Sequence, residues 1–115
     1  MNNKSKIPSE EDFARAKQRM KERSEKESAF KSDILAKLSG NQPCHDIWVW
    51  LSDNKCTVSY IFPTDSDLKK NEKKEIVQAV ETSAQNQGIE NVVIEYHSHE
   101  YILKEYNGNY GKYFR

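Results

Sequence analysis

Most of the apolar residues of this 115-residue chain lie in residues 40–115, whereas residues 1–39 are rich in charge. The first segment carries ten Lys and Arg against seven Asp and Glu, and the second carries eight against eleven. A chain of this length is expected to hold one hydrophobic core. The sequence therefore predicts a disordered segment over 1–8, a helical extension over 9–39 and a single folded domain over 40–115.

The helical extension is predicted from its ends and from one apolar stripe. Ser9 precedes three consecutive acidic residues, a pattern typical of a helix start, and no Pro or Gly follows before Gly40. Phe30, Ile34 and Leu38 recur at every fourth position, so they share one face of a helix. We expect this face to pack on the domain and the part of the helix before it to be solvent-exposed.

A β-hairpin is predicted from residues 45–52 and 56–62. In the first run, Ile47, Val49 and Leu51 alternate with two tryptophans, and a polar turn separates it from the second run. Alternation with a period of two is typical of strands. We therefore expect two antiparallel strands joined by a tight turn.

A helix and a third strand follow the hairpin. Residues 68–86 carry an apolar stripe at helical spacing, preceded by candidate capping residues in 63–67 and followed by Gly88. Residues 90–96 contain three consecutive aliphatic residues. The sequence therefore predicts a strand–strand–helix–strand order for this part of the chain.

The last residues allow two interpretations. In the first, Ser98 caps a helix over 99–106, Asn107-Gly108 ends it, and 110–114 form a final strand. In the second, 100–106 are a strand and Asn107-Gly108 is a hairpin turn. We favour the helix, because its adjacent apolar residues fit a helical period better than strict alternation.

Together these elements predict an α+β fold. It consists of a long amino-terminal helix followed by a small, largely antiparallel sheet, with helices packed on one face and a tail element at the end.

No catalytic centre, metal site or cofactor is predicted. Residues that could bind zinc are present, but their spacing does not match the closely spaced cysteine pairs of structural zinc sites; they are Cys44, His45, Cys56, His97 and His99. Four glycines leave no Gly-rich phosphate loop, and nothing places two carboxylates across a cleft. We therefore expect a protein that is not an enzyme.

The composition also constrains the compartment. No apolar run approaches the length needed to cross a bilayer, and the start of the chain has no apolar signal-peptide region. Two cysteines do not form a dense disulfide framework. We expect a cytoplasmic protein without a membrane partner.

Tyrosines are concentrated near the carboxyl end, where five of the six lie between residues 96 and 113. Glutamates accompany them, which suits a protein partner with a basic surface. An alternative is that the tyrosines pack at the edge of a small core. The candidate partner-binding residues are Glu95, Glu100, Tyr101, Glu105, Tyr106 and Tyr110, with Asp65 and Asp67 in second rank.

Nucleic-acid binding is less favoured as a function. Trp48, Trp50 and Tyr60 could stack on bases if exposed, but no cluster of Lys or Arg accompanies them. The basic residues lie in the amino-terminal helix, interleaved with glutamates that reduce their field.

The ending SHEYILKEYNGNYGKYFR, after a strand–strand–helix–strand order with IWVWLS in its first strand, resembles a known group of proteins. These are the small immunity proteins of bacterial contact-dependent growth inhibition and related polymorphic toxin systems. The resemblance covers about the carboxy-terminal two thirds of the chain, in size, layout and tail composition. It implies a cytoplasmic, non-catalytic inhibitor that binds a cognate toxin domain, often a nuclease. The alternatives are a regulatory or phage-encoded adaptor that binds through its amino-terminal helix and a small RNA-binding module.

Overall fold

The computed structural model describes residues 9–38, 42–52 and 55–115. The segment predicted to be disordered, 1–8, lies outside the described residues, as do Gly40 and residues 53–54 of the predicted hairpin turn. The elements in chain order are α1 (Glu10–Lys37), β1 (Asp46–Leu51), β2 (Cys56–Phe62), α2 (Asp65–Lys70), α3 (Lys74–Gln87), β3 (Val92–Ser98), α4 (His99–Tyr106) and α5 (Tyr110–Tyr113). The predicted α+β class with a long amino-terminal helix is confirmed.

Helix α1 begins with a capping box. The backbone N–H of Asp12 donates to Ser9 Oγ at 3.1 Å, and the backbone N–H of Ser9 donates to Asp12 Oδ2 at 3.3 Å. The helix is about 42 Å long, and only its second half packs on the domain. Phe30 and Ile34 are fully buried against β1 and α3, as their spacing predicts.

The three strands form one mixed sheet in the order β1-β2-β3. β1 and β2 pair antiparallel, which confirms the predicted hairpin, whereas β2 and β3 pair parallel. The sheet is therefore not largely antiparallel. The reason is that α2 and α3 carry the chain back to the start of the sheet, and a helical crossover of this kind joins parallel strands.

One face of the sheet forms the hydrophobic core with α1 and α3. The side chains on this face and on the two helices form one buried cluster; the largest are Phe30, Ile34, Ile47, Val58, Tyr60, Phe62, Ile76 and Val80. The hydroxyl of the buried Tyr60 donates to the carbonyl oxygen of Pro43 at 2.9 Å, so its polar atom is satisfied.

The single helix predicted over 68–86 is two helices, α2 and α3. The break is at Asn71, whose backbone is extended and whose side-chain amide donates to the carbonyl oxygen of Asp67 at 2.9 Å. The ammonium of Lys73 donates to the carbonyl oxygens of Leu68 and Asn71 at the same helix end. These local bonds satisfy the carbonyls that a continuous helix would use. Gly88 ends α3 in the left-handed conformation, as predicted.

The helix predicted over 99–106 is confirmed as α4. Ser98 Oγ accepts from the backbone N–H of Tyr101 at 3.2 Å, and Asn107 and Gly108 end the helix with positive φ. The strand predicted over 110–114 is wrong, because these residues begin the short helix α5. Its cap is Asn109, whose side chain accepts from the backbone N–H of Lys112 at 2.9 Å.

The position of α5 differs from the prediction that helices pack on one face of the sheet. Tyr110, Tyr113 and the following Phe114 lie against Trp48, Trp50 and His97, which the alternation of β1 and β3 places on the face opposite α1 and α3. The sheet therefore has helices on both faces. The tryptophans explain this arrangement, because they give the second face apolar area that a tail helix can bury.

Candidate protein-binding surface

The tail and the second sheet face form a continuous aromatic layer. The ring of Phe114 lies 5.1 Å from the rings of Trp48 and Trp50 and 4.9 Å from that of His97. Tyr110 stacks on Trp48 at 5.2 Å. Offset and edge-to-face contacts at these distances are attractive, so the chain end is held on the sheet by its aromatic rings.

This layer covers Trp48 and leaves part of Trp50 exposed. The Trp48 indole N–H donates to Asp46 Oδ2 at 3.1 Å, and its ring is covered by the tail. Trp50 remains 40 % exposed. Tyr60 lies in the core on the opposite face. The three aromatic residues considered for base stacking therefore do not form an open platform.

Tyr110 belongs to a stack with two histidines at one end of this layer. The rings of His45 and His99 are parallel at 3.7 Å, and His99 Nδ1 lies 2.5 Å from the Tyr110 hydroxyl. Burial lowers the pKa of His99, and the neighbouring His45 lowers it further. A neutral His99 can accept the tyrosine proton in a hydrogen bond, so this stack fixes Tyr110 beside the sheet.

Tyr113 is the centre of a second cluster. Its ring lies 5.2 Å from that of Tyr106 and 6.1 Å from that of Tyr101, and Tyr101 and Tyr106 lie 6.2 Å apart. Its hydroxyl lies 2.8 Å from His97 Nδ1. The turn between α4 and α5 therefore brings together three tyrosines that are separated in sequence.

Glu95 borders this cluster through His97. Its Oε1 lies 3.5 Å from His97 Nε2 and accepts from Ser59 Oγ at 3.4 Å, and half of its side chain is exposed. Burial lowers the pKa of His97, and the nearby carboxylate opposes that effect without cancelling it. The neutral histidine leaves the charge of Glu95 available at the surface.

A cleft of about 290 Å³ opens beside the tyrosine cluster, and we call it the tyrosine cleft. Residues from α2, β3, α4 and α5 line it; they are Asp65, Leu68, Lys69, Tyr96, His97, Ser98, Tyr101 and Tyr113. Burial raises the pKa of Tyr96, so its hydroxyl stays protonated well above neutral pH. The walls are mainly aromatic rings, with one basic and one acidic side chain from α2.

Two predicted carboxylates stabilise the walls of this cleft. Ser98 Oγ donates to Asp65 Oδ1 at 2.6 Å, and the backbone N–H of Asp65 donates to Glu100 Oε1 at 2.9 Å. The backbone N–H of Glu100 donates to the Pro63 carbonyl oxygen at 3.2 Å. Asp65 lies in the first turn of α2 and is hydrogen-bonded to the start of α4, and Glu100 lies in the first turn of α4 and is hydrogen-bonded to the start of α2. These reciprocal hydrogen bonds fix α2 relative to α4.

The predicted partner-binding residues fall into four groups. Tyr101, Tyr106 and Glu95 lie together at the tyrosine cluster, and the exposed Glu105 lies one helical turn beyond Tyr101. Tyr110 faces the histidine stack instead. Asp65 and Glu100 fix the junction of α2 with α4. Asp67 lies in the first turn of α2, where its backbone N–H donates to Thr64 Oγ1 at 3.0 Å.

Sequence reasoning missed Tyr96, His97 and Tyr113 as parts of this surface. Tyr113 lies in the segment predicted as a strand, whereas the short helix α5 brings its ring to those of Tyr101 and Tyr106. Tyr96 and His97 have no local signal, because they reach the cleft only through the position of β3 at the sheet edge.

The residues considered as zinc ligands lie in different surroundings. Cys56 is fully buried in the core, where burial raises the pKa of its thiol to about 11. His97 contacts Tyr113, and His99 contacts His45 and Tyr110. Within 9–38, 42–52 and 55–115, no group of three or more His, Cys, Asp or Glu could hold a metal ion.

Two further findings bear on function. No helix in the described part of the chain is both long and apolar enough to cross a bilayer. Comparisons with protein-family models, with curated proteins and with solved structures find no match to this chain.

Proposed function

We propose that this chain is a non-catalytic immunity protein that binds and neutralises a cognate bacterial toxin domain in the cytoplasm. The contact surface is the tyrosine cleft together with Glu95 and Glu105. The observation that carries the proposal is the assembly of Tyr101, Tyr106 and Tyr113 beside the cleft, bordered by carboxylates. The resemblance in size, layout and tail composition supports the choice of an immunity protein among binding proteins.

The chemistry of the cleft suits a long side chain from a basic partner. Tyrosine rings give a large contact area and lose little conformational entropy when they are immobilised. An arginine entering the cleft can stack its guanidinium on Tyr101 or Tyr113. Glu95 and Glu105 then face the basic residues around it, which accelerates association and excludes acidic partners.

A nuclease domain is the preferred kind of toxin. Its substrate groove must attract phosphates, so it presents the basic surface that this site requires. A carboxylate-bordered surface placed over that groove blocks substrate by occupying the phosphate sites. The inhibitor needs no catalytic group for this task.

Co-expression with the toxin domain encoded by the neighbouring upstream gene tests the proposal. We expect the native chain to restore growth and to copurify with the toxin. The double variant Tyr101→Ala/Glu105→Lys should bind at least about 30-fold more weakly, which corresponds to a hot-spot loss of about 2 kcal/mol. The matched control is Leu103→Ala/Glu81→Lys, which alters one exposed apolar residue of α4 and one exposed charge of α3.

The possible results separate the two parts of the proposal. Failure of the native chain to protect against the toxin contradicts the immunity function. Full protection by the Tyr101→Ala/Glu105→Lys variant contradicts the assignment of the surface. If the control variant loses as much toxin binding as Tyr101→Ala/Glu105→Lys, the assignment of the surface is also contradicted, because the loss of binding then does not depend on the tyrosine cleft.

A further inference from the structure

The first half of α1 exposes two large apolar side chains. Phe13 is 63 % exposed and Met20 is 69 % exposed, and both lie on the part of the helix that projects beyond the domain. With Ala16 between them, their spacing alternates between three and four residues, which is the spacing of a coiled-coil seam. We call Phe13, Ala16 and Met20 the α1 stripe.

The α1 stripe continues a face that is buried elsewhere. Phe30 and Ile34 follow Met20 in the same heptad phase and are fully buried in the core. One helix face therefore packs on the domain at its carboxyl end and meets solvent at its amino end. Scattered exposed apolar residues are ordinary, but a stripe in phase with a packing face indicates a contact surface.

The charged residues beside the α1 stripe are placed so that they can form pairs of opposite charge with a second, antiparallel copy of the helix. Glu10 and Asp12 flank the start of the stripe, and Lys17 and Arg19 flank its end. When a second copy runs antiparallel with its Ala16 opposite Phe13, Glu10 of each copy faces Lys17 of the other. Asp12 of each copy then faces Arg19 of the other, so four pairs of opposite charge form around two large-to-small apolar contacts.

The same charges disfavour a longer overlap. Sliding the second copy until Phe13 faces Arg23 brings Lys17 beside Lys17 and Arg19 beside Arg19 of the other chain. Like charges at such flanking positions are destabilising, and a charged Arg23 then lies in the seam. Charge complementarity therefore selects the shorter register over the longer one.

We propose that a second copy of this chain covers the α1 stripe, forming an antiparallel helix pair over residues 9–20. The overlap is about 18 Å long and places the two domains at opposite ends. An interface of this size is at the weak, transient end of protein contacts, so the dimer forms at high protein concentration and weakens with salt. This surface is remote in sequence from the tyrosine cleft, and the proposal does not depend on the toxin.

Analytical ultracentrifugation of the full chain over a wide concentration range tests the dimer. We expect the mass to rise from 13.4 kDa towards twice that value at high concentration and low salt. The variant Phe13→Gln/Met20→Gln should stay a monomer throughout. Leu35→Gln, which removes an exposed apolar side chain of α1 outside the stripe, should associate like the native chain.

Charge reversal tests the register. The variants Glu10→Lys/Asp12→Lys and Lys17→Glu/Arg19→Glu should each remain monomeric alone and form a dimer when they are mixed. A native chain that is monomeric at every concentration overturns the proposal. A dimer that persists in Phe13→Gln/Met20→Gln also overturns it, and failure of the two charge variants to associate when mixed overturns the register. Binding of α1 to a foreign helix without self-association overturns the choice of occupant.

Discussion

Replacement of Phe114 by alanine should destabilise the protein by about 2 kcal/mol. The ring of Phe114 contacts Trp48, Trp50 and His97 at 4.9 to 5.1 Å, and it is the last aromatic residue of the chain. A fully buried phenylalanine costs about 3–5 kcal/mol when it is truncated to alanine. Because Phe114 is half-buried at the chain end, we expect about half of that cost.

Urea unfolding followed by tryptophan fluorescence measures this change directly. In Phe114→Ala the midpoint should fall, and the emission of the folded protein should shift to longer wavelength because both tryptophans lose cover. Leu103→Ala is the matched control, since this side chain is 51 % exposed and its loss should change the unfolding free energy by no more than about 0.5 kcal/mol. Equal unfolding free energies and an unchanged emission maximum for Phe114→Ala would refute the docking of α5 on the sheet.

Three further predictions concern the α2–α4 junction, the glycines and pH. Ser98→Ala should cost about 2 kcal/mol in denaturant unfolding, because it removes a helix cap and a buried hydroxyl donor. Gly88→Ala should destabilise by about 1 kcal/mol because its φ is +69°, whereas Gly111→Ala in α5 should be neutral or stabilising in the same assay. The lowered pKa values of His97 and His99 mean that the unfolded state binds more protons, so the melting temperature should fall as the pH drops below 6.5. His97→Gln should reduce that fall, and a flat pH profile between 7.5 and 5.5 would contradict it.

The elements that sequence reasoning predicted correctly are those governed by local chemistry. The helix start at Ser9, the helix end at Gly88 and the Asn107-Gly108 helix end each depend on residues within one turn. The hairpin follows from a period of two in one strand and a short polar turn. Such signals can be read without knowledge of distant contacts.

The elements that sequence reasoning predicted wrongly depend on contacts between residues distant in sequence or on competing local hydrogen bonds. Tyr110–Tyr113 is helical, and Tyr110 and the following Phe114 pack on Trp48 and Trp50, which precede them by about sixty residues. The break at Asn71 reflects the ammonium of Lys73, which donates to the carbonyl oxygen of Leu68 where a continuous helix would place a backbone N–H. The sequence predicted that tyrosines would contribute to a binding surface, but it could not predict the tyrosine cleft. The walls of the cleft come from four elements, and their relative positions are set by the topology of the fold.

We propose above that the carboxy-terminal aromatic surface binds a basic toxin domain. The most direct measurement is an NMR titration of the isotopically labelled chain with the product of the neighbouring upstream gene. We expect the amide signals that move to belong to α4, α5 and the end of β3, and we expect Tyr101→Ala/Glu105→Lys to abolish their movement. Signals that move only in α1 or β1, or signals that do not move at all, would contradict the proposal.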